Sequence, residues 1–99
     1  EHRSEKTDIF RTSGNTPIRI KIELGTMAKN LLLEEFPLAE RHLTHTKSDR
    51  WILDTEVYRL EGVGRFTIGV ANDIKIIESE PLKSYLQKFI DEHCKKIVN

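Results

Sequence analysis

The 99-residue chain has one cysteine, no net charge and no apolar run long enough to cross a bilayer. A lone Cys94 forbids an internal disulfide, which suits a reducing compartment, and we expect a cytoplasmic protein. Sixteen basic and sixteen acidic side chains cancel. That balance removes any global attraction to duplex DNA or an acidic membrane, so a nucleic-acid contact would need a local basic patch. No signal-like apolar segment opens the sequence, and a membrane is not an expected partner. Internal repeats and low-complexity stretches are missing as well.

Recognisable chemistry is equally scarce. Gly62-Val63-Gly64 is not followed by the spacing of a dinucleotide loop, and no Walker sequence occurs. No nucleophile sits in sequence beside a base and an orienting partner. His42 and His45 are three apart, a spacing that sends them to opposite faces of a strand, so they make a poor chelate. Cys94 falls on an apolar helix stripe and reads as core. The expectation is no enzyme, no cofactor and no metal.

What is present is a periodic pattern with room for one modest core. Glu1–Thr16 is polar apart from Ile9-Phe10 and reads as a linker whose Ile-Phe pair docks locally. Glu rather than Met at position 1 reads as a piece of a longer protein, with the linker arriving from a preceding domain. Residues 17–99 then form a single α+β domain. Pro17 introduces Ile18-Arg19-Ile20-Lys21-Ile22-Glu23-Leu24, whose strict alternation predicts a half-buried strand. Thr26 is a plausible N-cap for a helix carrying Met27, Ala28, Leu31, Leu32 and Phe36, which Pro37 ends.

Arg41–Thr46 and Arg50–Tyr58 bracket Lys47-Ser48-Asp49 as a hairpin. The first of these strands is so poor in apolar residues that it belongs at a sheet edge. Trp51, Leu53, Thr55 and Val57 share one face of the second, and we expect Trp51 to be partly buried. Leu60–Ile68 predicts a short helix, with Gly62 and Gly64 allowing close approach to the sheet. Asn72 supplies a left-handed turn residue before the strand Ile74–Glu78. Ser79 caps a last helix with Pro81 in its first turn, and Leu82, Leu86, Phe89, Ile90, Cys94 and Ile97 form its apolar stripe. The order βαββαβ predicts a ferredoxin-like α+β sandwich with an additional C-terminal helix.

This order, with Arg65-Phe66 on the short helix and Asp73 before the strand Ile74-Lys75-Ile76-Ile77, resembles the C-terminal extension of WYL-type bacterial transcriptional regulators, the WCX domain. The likeness covers roughly residues 17–98. It departs at Ala71, where the family carries a turn glycine, and near Ser79, where it carries a proline. The resemblance implies a sensory and interaction module, with no catalysis of its own. It also implies winged-helix DNA-binding and WYL domains earlier in the same protein, an effector that can be a nucleic acid, and a contribution to a homodimer.

Five basic residues are the candidates for an effector or interdomain contact. Arg65 stands first, since its position best matches the family, and its ordinary alternative is a solvated charge pairing with Glu61. Arg59 and Arg50 offer the same planar fork for phosphate or carboxylate. Arg19 and Lys21 lie on the uncovered sheet face, either as a polar platform or as ion pairs with Asp54 and Glu56 across the strands. That face lacks the exposed aromatics with which sheets stack RNA bases. Two further readings stay open. Leu24-Gly25 between strand and helix allows an ACT-like small-molecule sensor, and the element order alone allows an acylphosphatase-like enzyme that lacks the expected phosphate loop.

Overall fold

A computed structural model describes the backbone of residues 6–98 and the side-chain surroundings of residues 7–93. The chain runs β1 (Lys6–Thr7), β2 (Ser13–Gly14), β3 (Ile18–Leu24), α1 (Thr26–Glu35), β4 (Leu43–Lys47), β5 (Arg50–Val57), α2 (Leu60–Gly69), β6 (Ile74–Glu78) and α3 (Glu80–Val98). Short 3-10 turns occupy Pro37–His42 and Ala71–Asp73. The main sheet is antiparallel in the order β4-β5-β3-β6. Counted from β3, that is the second, third, first and fourth strand, the ferredoxin-like arrangement.

Alternation in β3 sends Ile20, Ile22 and Leu24 into the core, where each is fully buried. Each such side chain contributes about 1.5–3 kcal/mol relative to an exposed position. Leu53, Thr55 and Val57 of β5 stand opposite Ile22, Ile20 and Ile18 on the same face. Trp51, opposite Leu24, is half-buried. Its ring stacks on His45 at 4.7 Å and lies under the Lys29 ammonium at 4.6 Å. Ala28, Leu32, Val63, Phe66 and Leu82 close the core from the helix side.

Several boundaries differ from the sequence reading, each for a local reason. The hairpin strand starts at Leu43, because Pro37 opens a 3-10 stretch that carries Arg41 and His42. Met27 and Leu31 share α1 with the core residues but are 45% and 42% exposed, as is Ile90 of α3 at 49%. The buried stripe of α1 is narrow, Ala28 and Leu32 alone. Asn72 sits inside the Ala71–Asp73 turn without a positive φ; among the described residues only Arg11 and Ser48 adopt one. Ser79 does cap α3, its hydroxyl accepting from the Leu82 amide at 3.3 Å. The side chains of Cys94 and Ile97 lie outside those described.

The α1 cap is the largest surprise. Gly25, not Thr26, is the N-cap residue, and it has no side chain to offer. Asp73, far along the chain, supplies the carboxylate instead, accepting from the Ala28 amide at 2.8 Å. Its backbone carbonyl also accepts from the Gly25 amide at 3.0 Å. A β-carbon at Gly25 would stand 2.1 Å from that carboxylate, so glycine is what lets Asp73 in. One acceptor at an orphan amide and one negative charge at a helix N-terminus act together here.

Residues 6–16 fold onto the same body. β1 and β2 form a small ribbon, and Ile9 and Phe10 at its turn are buried in the common core. Asp8 organises that turn. Its carboxylate accepts from the amides of Phe10, Thr12 and Tyr58 at 2.8–3.0 Å, and from the Thr12 hydroxyl. The Tyr58 bond ties the ribbon to the end of β5. Arg11 takes a left-handed φ of 65°, a conformation costing about 1–2 kcal/mol. Its guanidinium offsets this by donating to the Glu35 carbonyl at 2.9 Å and lying 5.0 Å over Phe36.

Candidate functional site

The five basic candidates do not converge. Arg19, Lys21 and Arg50 belong to the open sheet face, while Arg59 and Arg65 belong to the helix side. On the sheet, Arg19 forms a two-pronged pair with Asp54, Nε to Oδ1 at 2.9 Å and Nη2 to Oδ2 at 2.8 Å. That hydrogen bond holds the Asp54 carboxyl below the usual carboxylate range, opposed by its partial desolvation and assisted by the charges of Arg19, Lys21 and His42. The same bond raises the Arg19 pKa. Arg50 lies 3.5 Å from Glu23 on the same face. Lys21 stands opposite Asp54 in the strand register. Cross-strand pairing therefore accounts for Arg19 and Arg50.

Arg59, at the N-cap position of α2, donates to the Ser13 carbonyl at 3.1 Å and fastens the ribbon to the helix. Arg65 differs from the other three arginine candidates, while the half-buried Lys21 likewise makes no ion pair among the described residues. The Arg65 side chain is exposed on α2 and makes no hydrogen bond or ion pair with another described residue, Glu61 included.

Arg65 stands at the rim of a cleft of about 690 Å³ between α1 and α2. The floor is aromatic. Phe10 reaches in from the ribbon and meets Phe36 at 4.9 Å and Phe66 at 6.1 Å, and Phe36 and Phe66 cross edge-on at 6.4 Å. Such tilted rings add roughly 0.5–1.5 kcal/mol per pair beyond their burial. Leu31, the exposed residue of α1, forms one lip. Glu34 and Glu35 balance Arg11 and Arg65 around the opening.

Two of the three α2 glycines admit neighbouring elements, and only one of these two, Gly62, lines this cleft. A β-carbon at Gly62 would stand 3.0 Å from the Phe10 β-carbon, and one at Gly64 would stand 2.6 Å from the Tyr85 ring of α3. Gly62 thus admits the ribbon, and Gly64 admits α3. Tyr85 and Phe89 also line a smaller depression of about 100 Å³ on the far side of Arg65. The guanidinium is therefore flanked by apolar surface on both sides.

Chemically, an aromatic floor beside a guanidinium that has no partner among the described residues suits a group with an apolar body and an anionic or planar polar end. The cleft lining contains no serine, cysteine or histidine. Among the described residues, no cluster of three or more His, Cys, Asp or Glu is placed to hold a metal ion, and no helix is long and apolar enough to cross a membrane.

Sequence reasoning selected Arg65 and missed the aromatic floor. Phe10, Phe36 and Phe66 are far apart in sequence and meet only because the ribbon turns back over α2. Asp8 left a trace, since Asp8 and Thr12 bracket a turn in which an aspartate accepts its own downstream amides. Asp73 was noticed only as a position shared with a family pattern, and its reach to α1 has no local signature. No protein-family model, curated protein or solved structure matches the chain.

Proposed function

We propose that the chain is a non-catalytic sensory and interaction module of a WYL-type transcriptional regulator, equivalent to that family's C-terminal extension. On this reading Arg65 and the α1/α2 cleft contact an effector or a neighbouring domain. The observation that carries it is Arg65 itself: an exposed guanidinium, without a described partner, beside a cleft floored by three phenylalanines. A charge retained only for solubility needs no such setting. Arginine over apolar surface is enriched where proteins bind one another and where planar anions are recognised.

The partners implied are the winged-helix and WYL domains of the same full-length protein, an effector that can be a nucleic acid, and a second copy in a homodimer. The ACT-like reading has less in its favour, because the Asp73 carboxylate already fills the space against Gly25.

Two measurements test the proposal. In the full-length regulator, deleting residues 17–99 is expected to leave the DNA-binding domain folded and to abolish effector-dependent regulation. An unchanged response would reject the module. Arg65→Ala is expected to weaken the response while shifting the stability of this chain by no more than about 0.5 kcal/mol, as for other exposed substitutions. A gene in which neither a winged helix nor a WYL domain precedes this region would remove the family assignment while leaving the Arg65 cleft to be tested by itself.

A further inference from the structure

The main sheet has a notch. β5 is eight residues long and β4 only five. β3 pairs with β5 as far as Ile18 opposite Val57, whereas β4 reaches only Leu43 opposite Leu53. Before Leu43 the chain leaves the sheet as the Pro37–His42 turn. Among the described residues, therefore, no strand lies beside Asp54–Val57 on the β4 side.

Residues along a strand direct their amide and carbonyl alternately to the two edges. With β3 on one side, half the backbone groups of Asp54–Val57 face the notch. Among the described residues, no backbone hydrogen bond from the neighbouring turns reaches them. The notch opens into a cleft of about 720 Å³, walled by Thr7–Ile9 on one flank and by Leu38, Arg41 and His42 on the other. An uncovered edge of four residues is about 13 Å long.

We propose that this notch is a strand-addition site, which takes an extended peptide segment of about four residues carrying an acidic side chain. The complement of an alternating row of donors and acceptors is another backbone in extended form. The charge preference follows from Arg41, because two of the three carboxylates in the cleft are already matched. Asp8 is taken up by the amides it organises, and Asp54 by Arg19. Glu56 faces Arg19 across the register. Arg41, exposed on the far wall, has no ion-pair partner among the described residues and is left to meet a carboxylate. Arg65 and the α1/α2 cleft have no part in this site, so either assignment can fail without the other.

The test uses amide NMR on the whole chain, with acetyl-Val-Asp-Val-Thr-amide as the probe at millimolar concentration. In the free protein, alternate amides within Asp54–Val57 should exchange with solvent like those of exposed loops, and the peptide should shift and protect them. Two versions of the peptide, N-methylated at opposite alternate positions, separate main-chain pairing from sticking. One phase should bind as the parent does, and the other about tenfold weaker through loss of two main-chain hydrogen bonds. Arg41→Glu should reverse the preference between the parent and its lysine-for-aspartate version.

Slow exchange throughout Asp54–Val57 in the free chain would show the edge already covered and overturn the proposal. So would equal binding of the two N-methylated phases, or peptide shifts centred elsewhere. Concentration-dependent protection of the same amides without peptide would assign the notch to a second copy and overturn it too.

Discussion

The open face of the sheet and the side that carries the helices are both rich in charged residues, but charge does different work on each. On the sheet face the ions answer one another in place: Arg19 with Asp54, Arg50 with Glu23. On the helix side, carboxylates answer backbone amides of distant segments, Asp8 for Tyr58 and Asp73 for Ala28. Exposed ion pairs contribute little, because water competes for both partners. A carboxylate at a partly buried amide replaces a hydrogen bond that water could not easily supply. The fold is thus held on the helix side, where elements far apart in sequence are fastened together. The sheet face sets surface character and pairing register.

The largest expected effect tests that asymmetry directly. Phe10 is 4% exposed and completes the aromatic floor with Phe36 and Phe66. Phe10→Ala is expected to destabilise the chain by about 3–5 kcal/mol through lost burial and the cavity left behind. Equilibrium denaturant unfolding checks this. A loss below about 1 kcal/mol would mean that the ribbon is an appendage and the asymmetry is wrong.

A smaller effect probes the remote cap. Asp73→Ala should cost about 1–2 kcal/mol, the usual range for an N-terminal capping acceptor. Gly25→Ala should also destabilise, because its β-carbon would displace the Asp73 carboxylate. The informative measurement is the double variant. If both changes act by breaking one contact, their combined cost falls well short of the sum. Additive costs would show that Gly25 serves some purpose other than admitting Asp73.

The same asymmetry explains what could be read from the sequence. The sheet was legible because its information is local: isoleucine at every second position in Ile18–Leu24, and a single face of Trp51, Leu53, Thr55 and Val57. Element order then sufficed for the ferredoxin-like arrangement, and Ser79 announced its helix because a cap and its amide are three residues apart. The helix side was less legible because its contacts span long separations. Asp73 and Ala28 are 45 residues apart, and Asp8 and Tyr58 are 50 apart. Nothing local to Gly25 says that its cap arrives from elsewhere. Nor could a polar stretch with one Ile-Phe pair show that Phe10 would lie between Phe36 and Phe66. Arg65 was found by a family pattern, and Arg19 by strand alternation, yet only three-dimensional placement separates the paired arginine from the one with no partner among the described residues.

The smallest expected effect lies on the sheet face. The Asp54 carboxyl is held below its ordinary range, first by the Arg19 hydrogen bond. A group whose folded pKa is depressed binds fewer protons in the native state than in the unfolded one. It therefore contributes stability above its unfolded pKa of about 4, and that contribution is lost as the pH falls through the lower folded value. Asp54→Asn should abolish this part of the acid dependence, so wild type and variant should converge in stability as the pH falls below about 4. At neutral pH their difference should be small and should shrink as salt is added, since the Arg19 side chain is 70% exposed and exposed pairs are screened. If Asp54→Asn instead costs as much at pH 7 as Asp73→Ala and resists salt, then the ion pairs of the open face hold the fold as firmly as the remote caps do. The division of labour between the two sides would then have to be given up.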